Sequence, residues 1–169
     1  MKCCFTGHRN IPAADKLDIM KKLDYVVRGL AERGCTVFNA GGALGFDTLA
    51  ALAVLRVKKS YPRIKLHLYL PCPQQADNWS AADRRVYERI KEESDRVTFA
   101  SPVYTPDCMN SRNRALVDDA DMCVAYCTEA RGGTAYTASY AMDNNKKVLN
   151  IAMEGYKEAD AFIQDIFSE

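Results

Sequence analysis

Short runs of β-type residues alternate six times with stretches in which apolar residues recur at helical spacing. The runs interpreted as strands are Cys3–Thr6, Thr36–Asn39, Lys65–Leu70, Arg96–Ala100, Met122–Tyr126 and Lys147–Ile151. Strands that alternate with helices form βαβ units, which require a parallel sheet with helices on both faces. The pattern therefore predicts an α/β fold: a single Rossmann-like domain over residues 1–169, with a mainly parallel sheet of about six strands.

The helices are predicted from the apolar spacing between these runs. In chain order they are the stripe from Leu17 to Leu30, the segment from Leu49 to Lys58, the turns after Ser80, the segment from Ser111 to Asp119, the turns from about Thr134 and the stripe from Ala159 to Ile166. Gly34 is expected to end the first helix, and Ser80 with Asp83 resembles a capping box.

The composition and charge of the chain restrict its partners. The 169 residues carry 23 basic and 22 acidic side chains, a net charge of +1 at pH 7, and 48% of them are hydrophobic. Such a composition is typical of a folded globular domain. Without a basic excess the chain is not expected to coat nucleic acid or an anionic membrane, so a bound anion has to be held locally.

Cysteine usage and the absence of targeting signals predict the compartment. The seven cysteines include no CxxC pair and only two histidines accompany them, so free thiols in a reducing cytosol are expected, with no metal site. The N-terminal residues do not resemble a signal peptide, and the longest apolar stretch, Leu49 to Leu55, is too short to cross a membrane. The sequence predicts a cytoplasmic protein without a membrane partner.

Polar and glycine-rich loops follow four of the predicted strands. Ligands of open parallel sheets bind beyond the carboxyl ends of the strands, where these loops lie. The candidate ligand-binding residues in them are Thr6, Gly7, His8, Arg9, Gly41, Gly42, Gly45, Asp47, Arg112, Asn113, Arg114, Gly132, Gly133 and Thr134. No Walker sequence is present, and no GxGxxG follows the first strand, so no cofactor is predicted.

Two of these loops have both a ligand-binding and a purely structural interpretation. The amides of Gly132 and Gly133 at a helix start suit a phosphate, with Thr134 adding a hydroxyl and Arg131 one step upstream. The alternative is a tight turn in which Thr134 caps the helix. Asp47 similarly suits a pair of ribose hydroxyls, or else caps the helix that follows it.

The remaining candidates are cationic or aromatic. Arg112 and Arg114 at a helix start suit forked contacts to phosphate, and in that position Arg112 is expected to contribute little to the core. His8 and Arg9 are candidate ligand contacts, although a lone histidine is often structural. Trp79 in a loop either stacks on a base or covers an edge of the core.

The motifs in these loops together resemble a known superfamily. Met109-Asn110-Ser111-Arg112-Asn113-Arg114, Asp121 and Gly132-Gly133-Thr134 are similar to the SLOG superfamily, which joins DprA (Smf) proteins and the LOG phosphoribohydrolases. Thr6 to Arg9, Gly41 to Asp47 and Asn78-Trp79 resemble its short YpsA-like bacterial members. The resemblance implies a Rossmann-like fold that binds nucleotides or nucleotide-derived ligands, and relatives tend to form dimers.

Compared residue by residue, the chain matches only some of the catalytic residues of these families. Arg112 matches the catalytic arginine of the LOG motif, and Asp47 matches an aspartate of DprA. Ala138 and Ser139 stand where LOG enzymes carry two glutamates. Cleavage of an N-glycosidic bond needs a carboxylate or its equivalent at a cationic transition state. The missing pair therefore favours binding without LOG-type catalysis.

Three functions follow as hypotheses. The first is a sensor-like homodimeric module that binds a nucleotide-like small molecule in a glycine-rich phosphate site. The second is a nucleoside-5'-monophosphate phosphoribohydrolase in which Arg112 orients the phosphate and Asp47 or Glu129 acts as the carboxylate. The third is DprA-like binding of single-stranded DNA, which the net charge of +1 does not favour.

Overall fold

A computed structural model describes residues 1–168 of the chain. Within this range strands and helices alternate throughout, as the sequence pattern predicts. The elements are β1 (Lys2–Gly7), α1 (Lys16–Glu32), β2 (Val37–Ala40), α2 (Phe46–Lys58), β3 (Lys65–Leu70), α3 (Ala81–Glu93), β4 (Arg96–Phe99), α4 (Cys108–Asp118), β5 (Met122–Tyr126), α5 (Gly133–Asp143), β6 (Lys147–Asn150) and α6 (Tyr156–Ile166).

The six strands form one parallel sheet in the order β4-β3-β2-β1-β5-β6. The chain builds outward from β1 to β4 and then returns to place β5 on the other side of β1. The loops after β1 and β5 consequently diverge at this switch point, where open α/β sheets form their ligand crevice. The predicted Rossmann-like fold with a parallel six-stranded sheet is confirmed.

Helices cover both faces of the sheet. On one face α1, α2, α3 and α6 pack over the larger apolar core, whose largest buried side chains include Phe5, Phe38 and Phe46. On the other face α4 and α5 cover a smaller cluster that includes Leu116 of α4, Ala141 of α5 and Tyr69 of β3. Burial of these apolar side chains is the main driving force for assembling the layers.

Most element boundaries agree with the sequence pattern, but α2, α4 and α6 each start three residues earlier than predicted. Helix α2 begins at Phe46 rather than Leu49, because Gly45 takes φ of 77° and turns the chain directly into the helix. Helix α4 begins at Cys108 rather than Ser111. The expected cap of α3 is confirmed, since Ser80 Oγ accepts a hydrogen bond from the Asp83 amide at 3.1 Å.

Two further features of the fold concern its cysteines and the apolar character of its helices. All seven cysteines are free thiols; six are buried and Cys127 is half-buried. In residues 1–168 no helix combines the length and apolar character that crossing a membrane requires.

Candidate functional site

A cleft of about 330 Å³ lies at the carboxyl ends of the parallel strands, bordered by the loops after β1 and β2 and by the first turns of α4 and α5. Ten of the candidate residues line it: Thr6, Gly7, His8, Arg9, Gly41, Asp47, Arg112, Asn113, Gly133 and Thr134. Four loops or helix starts that are far apart in sequence therefore meet around one cavity. Gly42, Gly45, Arg114 and Gly132 lie outside its lining.

Close backbone packing holds the loops after β1 and β2 together. The Phe46 amide donates to the His8 carbonyl at 3.0 Å, and a Cβ on Gly45 would collide with the carbonyls of His8 and Arg9. A Cβ on Gly7 would likewise collide with the Phe46 ring. Gly7 and Gly45 are required by this close packing of the two loops, which fixes one wall of the cleft.

Arg112 is the buried centre of the site. Its side chain is 6% exposed. Nη1 donates to the Gly41 carbonyl and, at 3.5 Å, to the Tyr69 carbonyl, while Nε donates to Asn113 Oδ1 at 2.8 Å. Nη1 also lies 3.9 Å from Asp47 Oδ2. The expectation that Arg112 contributes little to the core is therefore wrong, because its side chain joins α4 to the ends of β2 and β3.

The hydrogen bonds of Arg112 limit what it can offer a ligand. Nε and Nη1 are occupied by Asn113 and Gly41, and Nη2 has no hydrogen-bond partner among the residues that the structure describes. A forked contact to phosphate uses two nitrogens side by side. Arg112 can make such a contact only by giving up one of these internal hydrogen bonds. The structure therefore supports a role in positioning the cleft wall more directly than a role in binding phosphate.

Among the residues that the structure describes, Asp47 is the one carboxylate in the lining of the cleft. It lies in the first turn of α2, and its Oδ2 accepts the Ala43 amide at 3.2 Å. It therefore closes the preceding loop, and Gly45, not Asp47, occupies the N-cap position. Burial raises the pKa of Asp47, against the opposing effects of Arg112, the Ala43 amide and Arg9. A carboxyl group with a raised pKa inside a cleft is a recurrent feature of functional sites.

His8 is fixed by the loop after β5. Its Nε2 accepts a hydrogen bond from the Thr128 amide at 2.9 Å, and its ring meets the Tyr126 ring edge to face at 5.9 Å. Since Nε2 is the acceptor, the neutral ring carries its proton on Nδ1. His8 thus has a structural role in joining β1 to β5 and at the same time forms part of the cleft lining.

The N-terminus of α5 is the open part of the cleft. Gly132 takes φ of 105° at the N-cap, without a side-chain cap, and Gly133 is the first helical residue. A Cβ on Gly133 would meet no atom within 4 Å, and Gly133 is exposed. Thr134 is not the cap, contrary to the structural interpretation of this loop. The first amides of α5 are accordingly accessible, and a helix N-terminus carries about half a positive charge.

The candidates outside the lining have other contacts. Gly42 takes φ of 69° and packs against Leu70. Arg114 pairs with Asp107 at 2.9 Å. Trp79 packs on the main core and meets the Tyr87 ring edge to face at 5.2 Å, so it covers the core and is not placed to stack on a ligand in the cleft.

Five lining residues were not among the candidates: Phe5, Ala43, Met109, Asn110 and Leu116. Met109 and Asn110 belong to the motif that carries the superfamily resemblance, so the sequence offered a reason to include them among the candidates. Met109 also contacts Arg9, whose Nη2 lies 3.8 Å from its sulfur. Phe5, Ala43 and Leu116 are apolar, and a sequence offers no way to distinguish such a lining residue from a core residue.

A known protein family matches most of this chain. The model of the YpsA family, described as the YspA SLOG family, matches residues 3–157. The chain belongs to this family. A UPF0398 protein of Halalkalibacterium halodurans is 30% identical over 121 residues, which cover 70% of this chain and 64% of that protein. A UPF0398 protein of Bacillus cereus strain G9842 is 27% identical over 154 residues, 89% of this chain and 82% of the relative.

Solved structures share the fold of this YpsA-family chain. DprA from Streptococcus pneumoniae superimposes with a TM-score of 0.68 at 19% identity, over 98% of this chain and 55% of that one. Helicobacter pylori DprA, described with its mode of binding single-stranded DNA, gives 0.64 at 19% identity, over 88% and 63%. The chain thus spans less than two thirds of these proteins and of the first relative, and likeness at this identity shows the fold alone.

Proposed function

We propose that the chain binds a nucleotide or nucleotide derivative in the cleft at the carboxyl edge of the sheet. The observation that carries the proposal is the convergence of four polar loops and helix starts on one cavity at the topological switch point. Membership of a SLOG family supports the same ligand class. The volume of about 330 Å³ is at the lower end of the range for small-molecule sites, which suits a ligand of mononucleotide size.

In this proposal the phosphate sits at the N-terminus of α5. The amides of Gly133 and Thr134 and the positive end of the helix dipole favour an anion, and the space beside Gly133 is open to one. Arg9, an exposed cation in the lining, adds positive charge nearby. Asp47, a carboxylate in the lining, can accept hydrogen bonds from ribose hydroxyls.

Substitutions at Gly133 test the phosphate assignment. Gly133→Asp places a carboxylate in the proposed phosphate position and is expected to abolish binding of nucleoside monophosphates in calorimetry. Gly133→Ala is the matched control: its methyl group enters free space, so binding and stability should change little. An acidic residue in the first turn of a helix is favourable, so the aspartate variant should remain folded. Equal affinities for the two variants would contradict the assignment.

The ligand itself can be identified from the purified protein. Mass spectrometry of small molecules that remain bound through purification under native conditions is expected to show a phosphorylated nucleoside or a derivative. Its loss from Gly133→Asp and retention by Gly133→Ala would link it to the cleft. Retention by both variants would place that molecule elsewhere.

A second candidate is hydrolysis of a nucleoside monophosphate, and the burial of Asp47 in the cleft favours it. The raised pKa of Asp47 is suited to general acid catalysis, whereas Glu129 does not line the cleft. Incubation with nucleoside monophosphates tests this function by the release of free base. Release that Asp47→Asn abolishes would support catalysis; a wild-type chain that binds without releasing base would limit the function to binding.

Binding of single-stranded DNA is less well supported by the charges at the cleft. Of the four arginines near it, Arg112 is buried and Arg114 is paired with Asp107. Only Arg9 and Arg131 lack an ion pair to a residue in the described range, whereas binding a nucleic-acid backbone requires several clustered cations. A salt-dependent mobility shift with oligonucleotides, absent in Arg9→Ala, would favour the DprA-like activity instead.

A further inference from the structure

The cleft is continuous with the surface between α4 and α5. Its lining includes Asn110 in the first turn of α4 and Gly133 in the first turn of α5. Residues three or four apart in a helix lie on the same side of it, so the next residues along these two sides are Arg114 and Tyr136. These two side chains therefore lie just outside the cleft, one turn beyond its lining on each helix.

Tyr136 has no part in the packing of the core. Its side chain is 44% exposed, and within residues 1–168 it belongs to neither of the two apolar clusters. Tyr140, one turn further along α5, differs in that it packs against the smaller cluster. The fold therefore does not need an aromatic side chain at position 136, and its ring is free to contact a ligand.

Two neighbours orient the exposed ring of Tyr136. The Tyr140 ring lies nearly parallel to it, with the centroids 6.2 Å apart and the planes at 22°, and the Tyr140 hydroxyl donates to Asp118 Oδ1 at 2.9 Å. At the other end, interaction with the Tyr136 hydroxyl raises the pKa of Arg114, whose guanidinium also pairs with Asp107 at 2.9 Å. A ring that is already oriented loses less conformational entropy when a ligand stacks on it.

Tyr136 is also close to the proposed phosphate position at the N-terminus of α5. Its Cα lies about 4.5 Å further along the helix axis than that of Gly133, at about 1.5 Å per residue. Side chains in a helix lean toward its N-terminus, which directs the ring back toward the phosphate. The space beside Gly132 and Gly133 is open, since a Cβ on either would meet no atom within 4 Å. A group attached to the phosphate outside the cleft would therefore lie next to the ring.

We propose that the ligand is a dinucleotide, two nucleosides joined through a phosphate bridge, and that Tyr136 stacks on its second base outside the cleft. This inference rests on the proposed function, in which the first nucleotide occupies the cleft with its phosphate at α5. The cleft of about 330 Å³ suits one nucleotide, so a second nucleoside has to lie beyond it. Stacking tolerates any base, because every base has a π-face, so Tyr136 selects for a second base without specifying which one.

Calorimetry with matched pairs of ligands tests the second-base site. Adenosine diphosphate is compared with diadenosine diphosphate, and guanosine diphosphate with diguanosine diphosphate, so that the ligands of each pair have the same two phosphates and differ in the second nucleoside. The wild-type chain is expected to bind the dinucleotide of at least one pair about tenfold more tightly, the effect of stacking one base. Tyr136→Ala should lose this tenfold preference and keep the affinity for the nucleoside diphosphate, and Tyr136→Phe, which retains the ring, should keep both.

Tyr156→Ala is the matched control for the loss of an exposed tyrosine. Tyr156 is 42% exposed and begins α6, which packs on the opposite face of the sheet, so its removal should leave the affinities for all four ligands unchanged. A wild-type chain that binds both members of each pair equally, or a preference that persists in Tyr136→Ala, would overturn this inference and leave the proposed function standing. Failure of all four nucleotides to bind the wild-type chain would contradict the proposed function itself.

Discussion

Arg112 shows how one buried side chain can shape the wall of a cleft. Its guanidinium is buried between the Gly41 and Tyr69 carbonyls, with Asp47 close by. Burial lowers the pKa of Arg112, partly opposed by the charge of Asp47, and the group remains a cation at neutral pH. A Cβ at Gly41 would collide with both Arg112 and Asp47, so the glycine is needed for this close approach.

Removing the Arg112 side chain is therefore expected to destabilise the whole domain. Arg112→Ala leaves buried carbonyls and the Asp47 carboxyl without their partner, and should lower the free energy of unfolding by about 3 kcal/mol, as for one partner of a buried ion pair. Arg131→Ala, an exposed arginine near the same cleft, is the control and should change it by less than about 0.5 kcal/mol. Urea unfolding followed by circular dichroism measures both. A loss as small as that of the control would show that the buried contacts of Arg112 add no stability.

At the scale of elements, Asp119 fastens the end of α4 to the sheet. Its carboxylate accepts hydrogen bonds from Lys2 Nζ of β1 at 2.5 Å, from the Tyr69 hydroxyl of β3 at 2.6 Å and from Asn39 Nδ2 of β2 at 3.4 Å. Burial alone raises the pKa of Asp119, but the bonds from Lys2 and Tyr69 outweigh it, so the pKa lies below its usual value. Helix α4 carries Arg112, which lines the cleft, so the hydrogen bonds of Asp119 also position one wall of the cleft.

The lowered pKa of Asp119 gives a pH-dependent prediction. An acid with a lower pKa in the folded state stabilises the fold above its unfolded pKa of about 3.9, and this contribution is lost as the pH falls through the folded pKa. Asp119→Asn should thus reduce the free energy of unfolding by about 1.5–3 kcal/mol at pH 7, as for hydrogen bonds to a charged group. The difference from the wild type should shrink below about pH 4.

Urea unfolding of both proteins at the two pH values provides the measurement. Asp143→Asn, at the exposed end of α5, serves as the control and should match the wild type at both. A deficit of Asp119→Asn that is as large in acid as at neutral pH would mean that shape, and not the carboxylate charge, stabilises the end of α4.

The sequence predicts elements better than it predicts contacts between them. The strands could be located because a buried parallel strand is a short apolar run, as in Met122–Tyr126. Helix starts were missed where the signal is a backbone angle, as at Gly45. Loop chemistry identified the residues of the cleft, but a glycine needed for packing, such as Gly42, cannot be told from one that admits a ligand. The burial of Arg112 depends on strands β2 and β3, which are distant in sequence.

At the scale of the whole molecule, six cysteines report on the integrity of the core. These six cysteines are at most 2% exposed and lie in β1, in β5, at the start of α4 and in the loops before β2 and after β3: Cys3, Cys4, Cys35, Cys72, Cys108 and Cys123. Burial raises the pKa of Cys35 to about 12 and raises that of Cys72. The thiolate is the reactive form, so these groups should react only when the fold opens. Cys127, just after β5, is half-buried and more accessible.

Thiol titration is expected to separate these two classes. In the folded protein at mildly alkaline pH, one thiol should react rapidly with a disulfide reagent, and Cys127→Ser should remove that phase. The remaining six should react together at the rate of global unfolding, because the cores on the two faces share one sheet and open as a unit. Denaturation without reductant should yield seven thiols in all. A second rapid thiol would indicate a local opening, and a total below seven would indicate a disulfide.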